Sequence, residues 1–268
     1  MFPLPNNTFP PDAEALRAAL EESISRVVRP AGPMVTVEDA GYPKLAAIRV
    51  SLDGANAGER PPPRPQPPVG PVEPGLEIEN FTVSGRPILV QRARVELTCT
   101  ARDVRLGLGR DQDGNLLLLL QDAAEGNVEV AVALSDLEAL VLAGAKAEAA
   151  KQGVTVENVR IELQARNERA LDVVMHVRAK KLFLTAAVRI SGSAAIDEKL
   201  NARLSGLECA GEGTLGTLAC GFIAPHLQRF NGREYSLMAL PLGEVKLRDV
   251  RIATGRELRV TAQFGRAA

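Results

Sequence analysis

The sequence contains no tryptophan, only two tyrosines and seven phenylalanines. So few aromatic faces leave little with which to stack bases or sugars. Neither sign of charge dominates: 32 Lys and Arg oppose 33 Asp and Glu, for a net charge of -1. A basic field that would draw in nucleic acid is absent over the whole chain, and no nucleic-acid partner is expected. Only His176 and His226 could supply imidazole, and neither stands beside cysteines or carboxylates at metal-ligand spacing. No metal or cofactor is expected. G-x-S-x-G, Walker and H-E-x-x-H motifs are also missing, so the chain reads as non-catalytic.

Three cysteines, Cys99, Cys209 and Cys220, are too few and too odd in number for a disulfide framework. Cys209 and Cys220 could pair in an exported protein. Their apolar surroundings favour the other reading, in which each packs as a small hydrophobe. No run approaches about 18 uninterrupted apolar residues, so no membrane-spanning helix is expected. Met1 to Pro11 lacks the basic start and apolar run of a signal peptide. As it stands the chain reads as cytoplasmic; a cell-envelope address requires an export signal that has been removed.

What is present is ordinary globular material: 268 residues, 46% hydrophobic and 24% charged. With so few aromatics the core must be aliphatic. Residues 12–29 read as a helix capped by Asp12, with Leu16, Leu20, Ile24 and Val27 on one stripe and Pro30 as the stop. Val35 and Val37 open a short strand. Ile48, Val50 and Leu52 alternate with polar residues in a second strand with one wet face.

Residues 59–75 hold eight prolines. Such a stretch should stay extended and exposed, outside any sheet. It could serve as a ligand for a proline-recognition module; a loop inserted between strands is the simpler reading. Strands on both sides argue against a domain boundary here, and 1–268 reads as one domain.

Long strands follow. Val95, Leu97 and Cys99 share one parity, and Val104, Leu106 and Leu108 take the other, which predicts a bulge that bends the sheet. Asp111 to Asn115 is a hairpin turn that imitates the start of a calcium loop, but residue 122 is Asp where Glu is needed. Leu116–Leu120 returns, and Val128, Val130, Val132 and Leu134 alternate again. Ser135-Asp-Leu-Glu138 then forms a capping-box pattern, and Leu137, Leu140, Val141 and Ala145 give helical spacing up to a stop at Gly153. Strands are predicted over Val154–Leu163, Leu171–Val177 and Leu182–Ile190. A third helix is predicted between Leu215 and Phe230, broken or kinked at Pro225. Val245–Ile252 and Leu258–Phe264 close the chain as strands. Helices set between hairpin-like strands, with no regular βαβ alternation, give an α+β fold.

Gly211, Gly213 and Gly216 match G-x-G-x-x-G, yet the strands after them suit an antiparallel hairpin, so a strand-to-helix turn is preferred to a dinucleotide site. His176 reads as a solvent-facing strand residue and His226 as a surface residue. Lys180, Lys181, Arg203, Arg229 and Arg233 read as solvated charges, any one of which could meet a lipid phosphate at a cavity mouth.

The order of features resembles the LmeA-like phospholipid-binding proteins, a branch of the tubular lipid-binding (TULIP) superfamily. The segments that carry the likeness are Ile48-Arg-Val-Ser-Leu-Asp53, the helix opening at Ser135, Leu240-Pro-Leu-Gly-Glu-Val-Lys-Leu-Arg-Asp-Val-Arg-Ile252 and Leu258-Arg-Val-Thr-Ala-Gln-Phe-Gly265. The resemblance implies a long, curved antiparallel sheet wrapped around a long helix, with an additional N-terminal helix and an apolar groove for acyl chains. It implies non-catalytic binding, or carriage, of a lipid such as a phospholipid, with transient membrane contact. The groove would be lined by Leu137, Leu140, Val141 and Ala145 of the middle helix, by Leu218, Phe222, Ile223 and Leu227 of the last helix, and by Val130, Val132, Leu184 and Val188 from inward strand faces. The alternative is a scaffold protein with a closed, dry core and a recruiting proline-rich loop.

Overall fold

The structure, a computed structural model, describes residues 2–5, 7–57, 66–151, 153–181, 184–239 and 245–266, with the backbone alone at 181, 184, 222 and 239. It is a mixed α+β fold, mostly sheet, with three helices among the described residues and a large curved open sheet. The chain divides into two compact units. Unit 1 comprises Met1–Val130, Leu240–Asp249 and Thr261–Ala268; unit 2 comprises Ala131–Ala239 and Val250–Val260.

Unit 1 opens with β1 (Phe2–Pro3) and α1 (Ala13–Ser25). It continues through β2 (Val28–Arg29), β3 (Val35–Asp39), β4 (Lys44–Ser51), β5 (Asn56–Ala57), β6 (Glu73–Val90), β7 (Ala93–Arg110), β8 (Leu116–Asp122) and β9 (Glu125–Ala133). Unit 2 carries α2 (Leu134–Ala150), β10 (Thr155–Asn167), β11 (Ala170–Lys181), β12 (Leu184–Ile196), β13 (Asn201–Glu212), α3 (Gly213–Gln228), β14 (Glu234–Ser236) and a 3-10 turn at Leu237–Ala239. The strands β15 (Lys246–Thr254) and β16 (Glu257–Gly265), like β9, contribute residues to both units. Three of the four unit boundaries therefore fall inside strands, where composition carries no linker signal.

In unit 1 the cap is as the sequence indicates: Asp12 Oδ1 accepts from the Ala15 amide at 2.8 Å. Leu16, Ala19 and Leu20 are buried among Leu45, Ile48, Leu76 and Ile78. The helix stops earlier than predicted, at Ser25, and Val27 is 43% exposed rather than part of the stripe. Val28 and Arg29 instead pair with Ala57 and Asn56, because a partner strand satisfies their backbone groups better than another frayed turn would.

The proline-rich stretch does not stay wholly outside the sheet. Residues 59–65 lie outside those described. Val69 and Val72 are exposed, as expected of a loop, but Glu73, Pro74 and Gly75 already belong to β6, with Pro74 opposite Gly107. Proline is tolerated there because, among the described residues, β6 pairs only with β7 at that point; its partnership with β4 starts at Glu77.

β6 and β7 form an 18-residue hairpin ladder. The change of parity falls at Asp103, which takes a φ of +48°, a conformation Asp adopts more readily than most residues. β6 changes face at the same level, from Leu76 and Ile78 to Phe81 and Val83. Ile78 therefore stays opposite Val104, and Asn80 stays opposite Arg102. The register shifts lie elsewhere, against β8 between Arg105 and Leu106 and in the β6–β7 ladder at Pro74–Leu76 and Gly85–Ile88. The Asp111 turn is held by its own carboxylate, whose Oδ1 accepts from the amides of Asp113 and Asn115, both at 2.9 Å.

Asp122, at the end of β8, is buried and bridges Arg105 (2.5 Å) and Arg266 (2.6 Å). Burial works to raise its pKa, but hydrogen bonds from Arg266 and Arg105 and their charges outweigh it and hold the carboxyl below its ordinary value. A lowered native pKa means that the carboxylate's contribution is fully present above about pH 4. It disappears as the pH falls through the lowered value. Asp122→Asn is expected to cost roughly 2 kcal/mol at neutral pH, with the gap to wild type narrowing in acid. Denaturant melts at neutral and acidic pH measure both.

Candidate functional site

Unit 2 is built on a five-stranded antiparallel sheet in the order β10-β11-β12-β13-β14. Its register stacks apolar residues in rows across three strands. Val159 lies opposite Val177, and Val177 opposite Val188; Ile161 lies opposite Met175, and Met175 opposite Ile190; Val156 lies opposite Ala179, and Ala179 opposite Ala186. Period-two alternation puts those of β11 and β12, with Val159 and Ile161, on one face, and the register irregularity between Val156 and Asn158 brings Val156 to the same face. The intervening positions are polar except Ala187, and include His176, which is exposed and sits between Arg160 and Arg189 in the ladder. Its Nε2 lies 3.5 Å from a Glu162 carboxylate oxygen.

α2 covers one side of this face. Leu137, Val141, Leu142 and Ala145 pack on Val156, Val159 and Ile161. The capping box is not formed: the N-cap is Ala133, with no side-chain cap, and Leu134 begins the helix rather than ending a strand. Glu138 reaches sideways instead. Its Oε1 accepts from the Ile161 amide at 2.9 Å, and its Oε2 lies 3.6 Å from Arg160. β10 is an edge strand, and this carboxylate satisfies an edge N–H that has no strand partner. Gly153, with φ +67°, ends the helix as the sequence indicates.

α3 covers the other side, packed on β12 and β13. It runs through Pro225 to Gln228. The residue four positions earlier, where a proline ring crowds the helix, is the exposed Gly221, with open space beside it. The three glycines of G-x-G-x-x-G serve the approach of this helix. A Cβ on Gly211 would stand 1.9 Å from the Gly216 carbonyl carbon, and one on Gly216 would stand 2.6 Å from the Ala187 carbonyl oxygen. Gly213 makes the turn with φ +67°. The motif brings helix and sheet backbones into direct contact. The preceding strand is antiparallel to both its neighbours, unlike the parallel βαβ unit of a dinucleotide fold.

Cys209 and Cys220 are bonded, sulfur to sulfur at 2.03 Å, against the expectation of unpaired thiols. Cys209 lies opposite Ile190 on the apolar face, and Cys220 is buried on the inner side of α3. The close helix approach that the glycines permit brings the two together. Cys99, in unit 1, is the free cysteine, and burial raises its thiol pKa.

Between α2, α3 and the sheet lies a cavity of about 650 Å³. Its walls are overwhelmingly aliphatic: Val141 and Ala145 from α2, Met175, Val177 and Val188 from the strands, Leu215, Ala219 and Ile223 from α3. Glu148, Lys180 and Thr185 also border it, and all three are exposed, so they mark where it opens to water.

Of the residues predicted to line a groove, the structure brings together Val141, Ala145, Val188 and Ile223. Leu137 packs in the adjoining core. Leu140 and Leu227 are half-buried outside the cavity wall. Leu218 is 58% exposed, on the outer side of α3. Val130 and Val132, in β9, are not in the wall. The side chains of Leu184 and Phe222 lie outside the described residues, as does the 240–244 segment. Among the wall residues that sequence reasoning missed, Met175, Val177 and Ile190 share the alternation that identified Val188, whereas Val156 joins Val159 on that face only through the irregularity of β10 at Asn158, and Leu215 and Ala219 lie on α3.

Among the described residues no group of three or more His, Cys, Asp and Glu side chains is placed to hold a metal ion. No protein-family model, curated protein or solved structure matches the chain.

Proposed function

We propose that this protein binds a lipid, such as a phospholipid, or a similar greasy amphiphile in the cavity of unit 2, without catalysing a reaction on it. The observation that carries this reading is the cavity itself. Ordinary cores close to crystal-like density and leave few voids larger than a water molecule. A space of about 650 Å³ walled by Val, Ala, Met, Leu and Ile has the size and lining of a ligand site. Each methylene transferred into it contributes roughly 0.8 kcal/mol, and its solvent side offers a polar head the Lys180 ammonium and the Thr185 hydroxyl, beside a Glu148 carboxylate already paired with Lys151. The resemblance to LmeA-like and other TULIP proteins, in which a curved sheet wraps a long helix, supports the same conclusion. The Cys209–Cys220 bond supports an oxidising compartment such as the cell envelope. The scaffold reading needs a dry, filled core, which the cavity disfavours.

Native mass spectrometry of the gently purified protein, followed by organic extraction, tests this. The expected result is a stoichiometric mass increment that extracts as lipid. A clean apo mass, with no uptake from liposomes, overturns the reading and leaves the proline-rich loop and a protein partner as the better account.

A further inference from the structure

We propose that unit 2 docks on an anionic lipid bilayer through the outer face of α3 and the segment that follows it. Eight large hydrophobic side chains are exposed among the described residues, and five of them, Leu215, Leu218, Phe230, Tyr235 and Met238, fall between 215 and 238. Scattered exposed hydrophobics are normal; a concentration of them marks an interaction site. They border one strand: α3 packs over β13, and β14 and the 3-10 turn flank β13 as the edge of the sheet, with Leu215 toward the first turn of α3 and Phe230, Tyr235 and Met238 toward its other end.

The charge pattern selects the partner. α3 carries no Asp, Glu, Lys or Arg in its 16 residues. The chain is 24% charged, and a solvent-facing helix of this length would ordinarily hold about four charges at that rate. Its exposed positions from Gly213 through Thr214, Leu215, Thr217, Leu218 and Gly221 to Pro225 are small or apolar, and His226 and Gln228 follow in the last turn. Arg229 and Arg233 follow at once, with the Arg233 guanidinium 5.9 Å from the centre of the Phe230 ring. Glu234 faces Arg203 at 3.8 Å. The acids Glu208 and Glu212 lie toward the other end of α3. An uncharged face ending in arginines beside an aromatic ring suits the interface of an anionic bilayer, with hydroxyls and leucines at the acyl boundary and guanidinium groups among the phosphates. No described helix is long and apolar enough to cross a membrane, so the contact is a docking one. Leu215 belongs both to this surface and to the cavity wall, which places the bilayer beside the cavity. The docking rests on the α3 face and does not require that the cavity be occupied.

Flotation of the full-length protein with vesicles of mixed phosphatidylcholine and phosphatidylglycerol, against phosphatidylcholine alone, is the test. The wild type is expected to float with the mixed vesicles and weakly with the neutral ones. Leu218→Asp is expected to reduce the bound fraction about tenfold with an unchanged melting curve, since the side chain is 58% exposed. Arg229→Glu with Arg233→Glu is expected to abolish the preference for anionic vesicles. The chain has no tryptophan, so Leu218→Trp supplies a single reporter whose emission should shift to the blue with mixed vesicles. Absence of flotation, flotation of Leu218→Asp equal to wild type, or an unshifted tryptophan overturns the proposal. So does a dimer that Leu218→Asp dissociates without any flotation, which would assign the face to a second copy of the chain. Ala186→Phe, which fills the cavity, should float like wild type, so failure of the cavity reading is read separately.

Discussion

Ala186→Phe is expected to lower the uptake of a fluorescent long-chain fatty acid by about a hundredfold while leaving the melting temperature of the protein equal or higher. Ala186 lies on β12 in the row with Ala179 and Val156, and its side chain borders the cavity. A phenyl ring there occupies the room of roughly four methylenes of ligand. At roughly 0.8 kcal/mol each, their exclusion costs about 3 kcal/mol of binding, or two powers of ten. The stability readout gives the experiment its discrimination. If the space is real, the ring fills it and gains contacts without strain. If the site is a closed core, the same substitution overpacks it and costs about 1–3 kcal/mol. Ala145→Phe on α2, across the cavity, is expected to behave the same way. Titration of the probe against wild type and both variants, with thermal melts in parallel, separates the outcomes. Unchanged uptake in both variants removes the cavity from the binding reaction.

Removing the Cys209–Cys220 bond by replacing both cysteines with serine is expected to destabilise unit 2 by about 3 kcal/mol and to lower its melting temperature by roughly 10 °C. The bond joins residues 11 apart in sequence, and it fixes α3 to the sheet where the helix forms a wall of the cavity. Without it, the denatured chain regains the freedom of that loop, and α3 is held by Gly211, Gly216 and its apolar side alone. Reducing agent on the wild type should reproduce the shift, and the double variant should no longer respond to reductant. Equal melting of wild type and variant would mean that packing, not the bond, sets the position of α3. The Asp122 pair provides a control in unit 1, since its acid-sensitive contribution should be indifferent to reductant.

Most strands were legible because alternation of apolar and polar residues is a local consequence of a half-buried sheet. β4, β8, β10, β11 and β16 fall close to where Val50, Leu118, Val159, Val173 and Val260 alternate or cluster. β13 was hidden. Its residues, Asn201 to Glu212, are rich in Ala, Gly, Ser and charge; it is a strand because β12 and β14 pair with it and α3 covers it. Ser135 to Glu138 matched a capping box, but Glu138 found a better partner in the unpaired Ile161 amide of an edge strand, a competitor no local pattern reveals. Cys209 and Cys220 stand in apolar surroundings, as small packed thiols also do, and only the helix approach across Gly211 and Gly216 decides that they meet.

By itself, then, the sequence determined the class of fold, the aliphatic character of the core, the N-terminal helix from Asp12, the turn at Asp111 and the change of face near Asp103, because each follows from backbone preference or from burial within a few neighbouring residues. It also indicated which side chains on β11 and β12 share a face; on β10, Val156 joins Val159 and Ile161 only through the irregularity at Asn158. Whether that face closes on itself or stands back from two helices was decided in three dimensions. Residues far apart in the chain, Val141, Val188 and Ile223, had to be set at a distance that leaves about 650 Å³ between them, and that distance depends on where the glycines and the disulfide hold α3, not on any spacing along the chain.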